Sequence, residues 1–228
     1  MGMAAPWGTI MAMLTPMLTP EALTLQHWLS PAFPTGAFAY SHGLEQLVAD
    51  DVIHDDATLE LWLADLLRFG TGWQDSVLIA QGLALGADFE ALDAIAKALQ
   101  PCAERLQESH EQGAAFARTV AAITGRNLPE RSLPVAVAEA AAPLGLPSDN
   151  VITLYLQAFA TNLVTIAIRH MPLGQSDGHG VLTRLLPILP DLGARASRAT
   201  LEDLGNSCFA ADMAAFLHET KDVRLFRT

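Results

Sequence analysis

Two short runs of the sequence carry residue types that could hold a catalytic metal. His110-Glu111 and His218-Glu219 each begin like the zinc-protease motif His-Glu-x-x-His. That chemistry needs a second histidine one helical turn later, so that two imidazoles share a helix face and the glutamate acts as the base. Ala114 and Asp222 stand at those positions. Neither run therefore predicts a zinc site.

Other catalytic signatures are missing from the sequence as well. It contains no Gly-x-x-x-x-Gly-Lys loop for a nucleotide and no Gly-x-Ser-x-Gly elbow for a nucleophile. Ser41-His42 pairs a nucleophile with a base, but adjacent helical residues diverge by about 100° and do not face each other. The histidines are scattered: His27, His42, His54, His110, His170, His179 and His218. Because metal sites usually show one close ligand pair, we expect no metal, no cofactor and no active site in this chain.

Composition limits the partners that the chain can have. Asp and Glu outnumber Lys and Arg 25 to 13, which gives a net charge of −12 and disfavours nucleic acid. Cys102 and Cys208 lie far apart, as is typical of reduced thiols in a cytoplasmic protein. The stretch Met1–Thr19 lacks the basic start of a signal peptide, and we expect residues 1–20 to form a flexible extension. The apolar run Val151–Ile168 is interrupted by polar side chains, which favours a buried helix over a membrane span.

Helical spacing of apolar residues dominates from residue 20 onward, and no run alternates as a strand would. Thr19-Pro20-Glu21 has the composition of a helix start. The predicted helices span about residues 20–29, 40–48, 55–70, 77–85, 89–99, 101–125, 134–144, 148–169 and 178–189, with a short helix after residue 200 and a last one reaching about residue 219. The sequence thus predicts an all-α, bundle-like fold of about ten helices in a single domain, residues 21–228.

The first segment without an obvious structural explanation runs from Ser30 to Glu45. Two prolines stiffen it, two glycines relieve crowding, and its aromatic residues supply contact area. It is either a loop packed on the core or a surface for a partner. Its candidate partner-binding residues are Phe33, Pro34, Gly36, Tyr40, Ser41 and Glu45.

The second segment runs from Arg169 to His179. Arg169 complements the dipole of a helix C-terminus, and Pro172 ends that helix. The segment is either a connection between helices or a second contact surface. The candidate residues are Arg169, Gly174, Gln175, Asp177 and Gly178.

The third segment is the stretch His218–Thr228. Leu225 and Phe226 lie between Arg224 and Arg227, and arginine and aromatic side chains are those that anchor interfaces. The segment either docks on the chain's own core or becomes ordered only when a partner covers it. The candidate residues are His218, Glu219, Arg224, Leu225, Phe226 and Arg227.

Taken together, the three segments resemble the urease accessory protein UreF family. The family's first motif is similar to Ser-Pro-x-x-Pro-x-Gly-x-Phe-x-Tyr-Ser-x-Gly-Leu-Glu, which begins in this chain at Ser30. Its middle motif resembles Arg-x-x-Pro-Leu-Gly-Gln-x-x-Gly-Gln from Arg169, and its last resembles His-Glu-Thr…Arg-Leu-Phe from His218. The likeness covers about residues 23–228. Departures from the pattern are Ala39, His179 in place of Gln, and Phe216-Leu217.

The resemblance implies a function that the residues alone do not. It implies an all-α protein that dimerises and joins UreD (also called UreH) and the GTPase UreG on apo-urease. That complex helps urease acquire its carbamylated lysine and nickel, so nickel would be handled by the complex and not held by this chain as a cofactor. It also implies that the C-terminal segment becomes ordered against UreD. Two alternatives stay open: an arginine donated to UreG by Arg169, Arg224 or Arg227, and nickel carriage by His and acidic side chains.

Overall fold

The computed structural model describes residues 19–228, and eleven α-helices form the framework of this part of the chain. They are α1 (Pro20–Trp28), α2 (Leu44–Ala49), α3 (Asp56–Phe69), α4 (Thr71–Gly82), α5 (Phe89–Ala98), α6 (Ala103–Thr124), α7 (Leu133–Ala141), α8 (Ser148–His170), α9 (Gln175–Leu185), α10 (Leu189–Ala196) and α11 (Phe209–His218). Residues 19–228 contain no strand. The predicted all-α, single-domain fold is confirmed.

The N-terminal prediction is only partly within the described residues. Of the extension predicted for residues 1–20, residues 1–18 lie outside them. Pro20 already belongs to α1, which Thr19 caps by accepting a hydrogen bond from the backbone N–H of Ala22. The predicted helix start at this point is confirmed.

Helix α8 lies in the middle of the core. Val151, Ile152, Leu156 and Leu163 are almost fully buried, and α4, α9 and α10 pack around the helix. By length and composition α8 could cross a membrane, since its most apolar 18 residues have a mean hydropathy of 1.7. Half of that stretch, however, is buried inside the protein. The prediction of a buried helix is confirmed.

Helix α2 is shorter than the apolar spacing predicted. It begins at Leu44, whereas the spacing of apolar residues predicted a start at Tyr40. His42 and Gly43 have left-handed backbones, with φ of 59° and 80°, so no helix can pass through them. Tyr40 belongs to an extended stretch.

Other boundaries also differ. Helix α4 begins at Thr71, whereas the apolar spacing predicted a start at Val77. The prediction missed its first turns because they carry polar residues, among them Gln74 and Asp75, which are nevertheless buried. Helix α9 begins at Gln175 and not at residue 178, so its first turn lies within the segment that was predicted as a connection or contact surface. Helix α10 was not predicted as a separate element, and the short helix after residue 200 is a single 3-10 turn.

Candidate functional site

The C-terminal tail, Glu219–Thr228, lies along the end of the first segment. The N–H of Arg227 donates to the carbonyl of Ala39 at 2.8 Å, and the N–H of Ser41 donates to the carbonyl of Thr228 at 2.8 Å. The Ser41 hydroxyl donates to the same carbonyl. We call the set of contacts between the tail, residues 39–45 and α6 the clasp. Thr228 is completely buried in it.

Glu45 is the central carboxylate of the clasp. It is only 3% exposed and accepts the backbone N–H groups of Leu225 (3.0 Å) and Phe226 (2.9 Å). Its Oε2 also lies 3.3 Å from His218 Nε2. Burial alone would raise the pKa of Glu45, but the backbone donors of Phe226 and Leu225, with His218, lower it below its usual value. Glu45 therefore stays ionised and fixes the tail by its backbone.

A row of three glutamates on α6 faces the tail. Glu104, Glu108 and Glu111 are spaced four and three residues apart, which places them on one face of the helix. Their contacts are Glu104 with Arg224 and with His218 Nδ1 (2.7 Å), Glu108 with the Thr228 hydroxyl (2.7 Å), and Glu111 with Arg227 Nη1 (2.7 Å). The row thus provides partners along the whole tail.

Tyr40 joins the two halves of the clasp. Its hydroxyl donates to Glu111 and accepts from Arg227 Nη1 at 3.0 Å. The guanidinium carbon of Arg227 lies 5.3 Å from the centre of the Tyr40 ring, a cation–π distance. Burial, together with the hydrogen bond to Glu111, raises the pKa of Tyr40, so the phenol remains a donor.

Buried charges lie beneath the clasp. Arg105 pairs with Glu108, and although burial opposes ionisation, the charge of Arg105 brings the pKa of Glu108 to about 2. His42 packs edge-on against Phe159 and lies 3.1 Å from the Thr71 hydroxyl. Burial, and next the charge of Arg105, lowers its pKa to about 4, so His42 is neutral.

The neighbouring helix α11 presents an exposed apolar face. Its outward side chains are spaced four, three and one residues apart, which places them on one side of the helix. They are Phe209, Met213, Phe216 and Leu217, and we call them the apolar stripe. The tail adds the exposed side chains of Val223 and Leu225, and Glu45 accepts the backbone N–H of Leu225; Phe209 and Leu225 are each 73% exposed. Contiguous exposed apolar residues of this kind mark protein–protein contact surfaces.

The structure brings together two of the three predicted segments. Tyr40, Ser41 and Glu45 contact His218 and the tail directly. Glu219 also takes part, because its side chain accepts the backbone N–H of Glu104 at 3.0 Å. The contact between these distant segments was not predicted.

Three residues of the first segment lie outside the clasp. Phe33 is a core side chain, 5.6 Å from the ring of Phe116. Pro34 is exposed, and Gly36 adopts a left-handed conformation at the start of a 3-10 turn.

The middle segment is also largely separate from the clasp. Arg169 and Gly174 are exposed, as are Gln175 and Asp177 in the first turn of α9. Gly178 is buried where α9 crosses α8, since a Cβ there would come within 2.5 Å of Ile168. The segment contacts the tail through the rings of His170 and Phe226, whose centres are 5.5 Å apart.

Of the two alternatives that the sequence left open for the tail, the structure shows docking on the chain's own residues. Within this single chain the tail is already seated, and its outer side chains alone remain uncovered. Sequence reasoning also missed the glutamate row and the apolar stripe. Helical spacing could have revealed both, because each repeats on one face of a predicted helix.

The described residues show no arrangement suited to a metal ion. Across residues 19–228 no three His, Cys, Asp or Glu side chains are placed to hold one. Ser41 donates to Thr228 and has no hydrogen bond with the His42 ring. The helical geometry that the sequence argument assumed for this pair is wrong, because α2 begins only at Leu44 and His42 has a left-handed backbone.

Fold and site together define a class, an all-α protein with a charged clasp and an exposed apolar helix face suited to binding another protein. The family model described as UreF matches residues 53–186, more than half of the chain. A protein of Cereibacter sphaeroides named urease accessory protein UreF is 53% identical over 206 residues, covering 90% of this chain and 98% of the relative. Those of Paracoccus denitrificans (48%, 92% and 99% covered) and Roseobacter denitrificans (45%, 93% and 96%) bear the same name. The chain belongs to the UreF family of urease accessory proteins.

Proposed function

We propose that this protein is an adaptor in urease maturation, working in the cytoplasm as a homodimer. It binds UreD through the apolar stripe and the outer face of the seated tail, and it recruits the GTPase UreG to apo-urease. GTP hydrolysis by UreG then drives nickel insertion. Such coupling needs different affinities for the GTP and GDP states of UreG, and no catalysis in this chain.

The observation that carries the proposal is the exposed apolar stripe beside an ordered tail. Burying a large apolar side chain contributes about 1.5–3 kcal/mol, and aromatic anchors dominate interface energies. Because the clasp already fixes the tail, UreD would meet a preformed surface. The ordering cost of a tail that folds on binding would then be avoided.

The test follows assembly with UreD by size-exclusion chromatography and measures the dissociation constant of the complex. Phe216→Asp places a charge in the stripe, and we expect binding to weaken at least about a hundredfold, the loss of one hot-spot side chain. The matched control is Leu85→Asp, which changes an apolar side chain that is fully exposed elsewhere. Equal UreD binding by both variants would remove the stripe from the mechanism.

The placement of Arg169 favours a second candidate function, activation of UreG by a donated arginine. Arg224 and Arg227 are engaged by Glu104 and Glu111, whereas Arg169 is exposed and forms no ion pair within residues 19–228. An arginine that reaches a nucleotide must be free to do so. GTP turnover by UreG with Arg169→Ala, compared with Arg68→Ala on exposed α3 surface, tests it. A loss of stimulation with Arg169→Ala alone is the expected result, and equal turnover with both variants would exclude a donated arginine at this position.

Nickel, in the proposed function, is cargo of the whole complex. We propose that the isolated chain binds no nickel tightly, since no three His, Cys, Asp or Glu side chains of residues 19–228 are placed to hold a metal ion. Equilibrium dialysis at micromolar nickel checks this, and stoichiometric binding would instead favour a carrier function.

A further inference from the structure

A cavity of about 280 Å³ lies between the first segment, α6 and α8. Its walls include the aromatic side chains of Trp28, Phe33, Phe116, Tyr155 and Phe159. Pro31, Pro34 and Phe38 also line it and are exposed, so the cavity opens to solvent along the loop that they form. It is large enough for a small ligand or a single long side chain.

The floor of the cavity is charged. Arg105, Glu108 and Asp75 line it, and all three are at least nine-tenths buried. Arg105 and Glu108 neutralise each other, and Glu108 also receives hydrogen bonds from Gln112 and Thr228. The floor therefore has one carboxyl group left without a counter-cation, that of Asp75.

Asp75 is 6% exposed and accepts one hydrogen bond, from the Tyr155 hydroxyl to its Oδ2 at 2.5 Å. Its Oδ1 accepts none from the described residues. A buried carboxyl group that is half satisfied and faces a cavity is costly for the fold. Burial raises the pKa of Asp75 to about 7, although the hydrogen bond from Tyr155 and the charge of Arg105 both lower it.

We infer that the cavity binds a primary alkylammonium group on a short apolar stem, with the cation paired to Asp75 Oδ1. The stem would lie against the aromatic walls, and rings around a cation add cation–π attraction. An anion is disfavoured because Arg105 already has its partner and Asp75 would repel it. Ca²⁺ is disfavoured because its sites draw several oxygen ligands from the protein, and only one oxygen is free in this floor.

The same ammonium group could come from a free amine or from the lysine side chain of a partner. This inference does not depend on the proposed adaptor function, since it uses neither the apolar stripe nor the outer face of the tail. A failure of one therefore leaves the other intact.

The experiment is a titration of the full-length protein, followed by the NMR signal of the Trp28 indole. With n-butylammonium we expect saturable shifts and a dissociation constant on the order of 1 mM, in keeping with so few heavy atoms. n-Butanol and butyrate, which have the same stem without the positive charge, should give no saturable shift. Nα-acetyl-lysine methylamide distinguishes the two sources of the ammonium group. If it binds as butylammonium does, the natural ligand is a lysine side chain; if the cavity excludes it, the natural ligand is a free amine.

Two variants test the assignment of the site. Asp75→Asn should weaken butylammonium binding at least about tenfold, because the ammonium group then meets a neutral amide instead of a carboxylate, while the exposed control Asp191→Asn should bind like the wild type. Should Asp75→Asn fold poorly, Ala158→Phe fills the half-exposed rim of the cavity, leaves Asp75 in place and should also abolish binding. Undiminished binding by a folded Asp75→Asn or by Ala158→Phe would overturn the inference, as would equal shifts with n-butanol.

Discussion

The clasp and the apolar stripe are joined by the chain itself, yet they use opposite chemistry. In the clasp nearly every polar group has a partner, and Glu45 and Thr228 are buried. In the stripe, more than half of the surface of large apolar side chains such as Phe209 and Phe216 is exposed to solvent. The comparison separates two tasks: the clasp stabilises the tail within the chain, and the stripe is left for another protein.

The largest effect is expected from breaking the centre of the clasp. Glu45→Ala leaves His218 Nε2 and the backbone N–H groups of Leu225 and Phe226 without the carboxylate that they contact. Removing one member of such a buried charged cluster costs about 3–5 kcal/mol in the free energy of unfolding. Urea denaturation measures this, with exposed Glu202→Ala as the control. A loss no larger than in the control would mean that the clasp does not stabilise the fold.

The next largest effect concerns the approach of α11 to the clasp. Gly43 has φ +80°, and a Cβ there would lie 2.9 Å from the backbone nitrogen of Ala215 in α11. Gly36 has a similar φ of +75° but no neighbour within 4 Å. Gly36→Ala should therefore cost about 1 kcal/mol from backbone strain alone, and Gly43→Ala about 2–3 kcal/mol. Equal losses in thermal or urea unfolding would contradict the close packing of α11.

A smaller effect is expected in the pH dependence of the free energy of unfolding, to which the buried carboxyl group of Asp75 contributes. The pKa of Asp75 is raised from 3.8 to about 7, so its contribution to stability is fully present below pH 3.8 and is lost as the pH rises toward 7. Asp75→Asn removes this loss, whereas Tyr155, Arg105 and Glu108 around it remain.

The difference between the two proteins isolates the Asp75 contribution. Between pH 5 and 7 the wild type should lose about 1–2 kcal/mol relative to Asp75→Asn, less than the full linkage because the cavity admits water. His42, with its pKa lowered to about 4, acts in the opposite direction but equally in both proteins. Parallel stability curves for the two proteins would contradict a raised pKa at Asp75.

The smallest effect on stability is expected in the stripe. Phe216→Asp removes a side chain that is mostly exposed, so the free energy of unfolding should change by less than about 0.5 kcal/mol. The same variant should lose UreD binding. A large loss of stability would mean that the stripe is part of the fold and not a surface for a partner.

The fold was predictable where a helix carries its own start and stop signals. Asp55 and Asp88 cap α3 and α5, and Gly125 ends α6, all at positions that the spacing predicted. The start of α4 was missed because Gln74 and Asp75 are polar residues that tertiary structure buries. The start of α2 was missed because left-handed His42 owes its conformation to contacts with Thr228 and Thr71.

The site was predictable as segments but not as a pairing. Sequence composition singled out Tyr40, Glu45 and the tail arginines. The hydrogen bonds that unite them span about 180 residues, for example from Leu225 to Glu45, and no local pattern encodes such a pairing. The fold supplies it by placing α2, α6 and α11 side by side.

The most direct test of the seated tail is hydrogen exchange at the backbone amides of Ser41, Leu225 and Phe226, followed in the protein alone and with UreD. The three amides are hydrogen-bonded within the chain, so we expect slow exchange in the isolated protein and little further slowing when UreD binds. Exchange of Leu225 and Phe226 at the rate of an unstructured peptide until UreD is added would contradict a clasp that forms before its partner arrives.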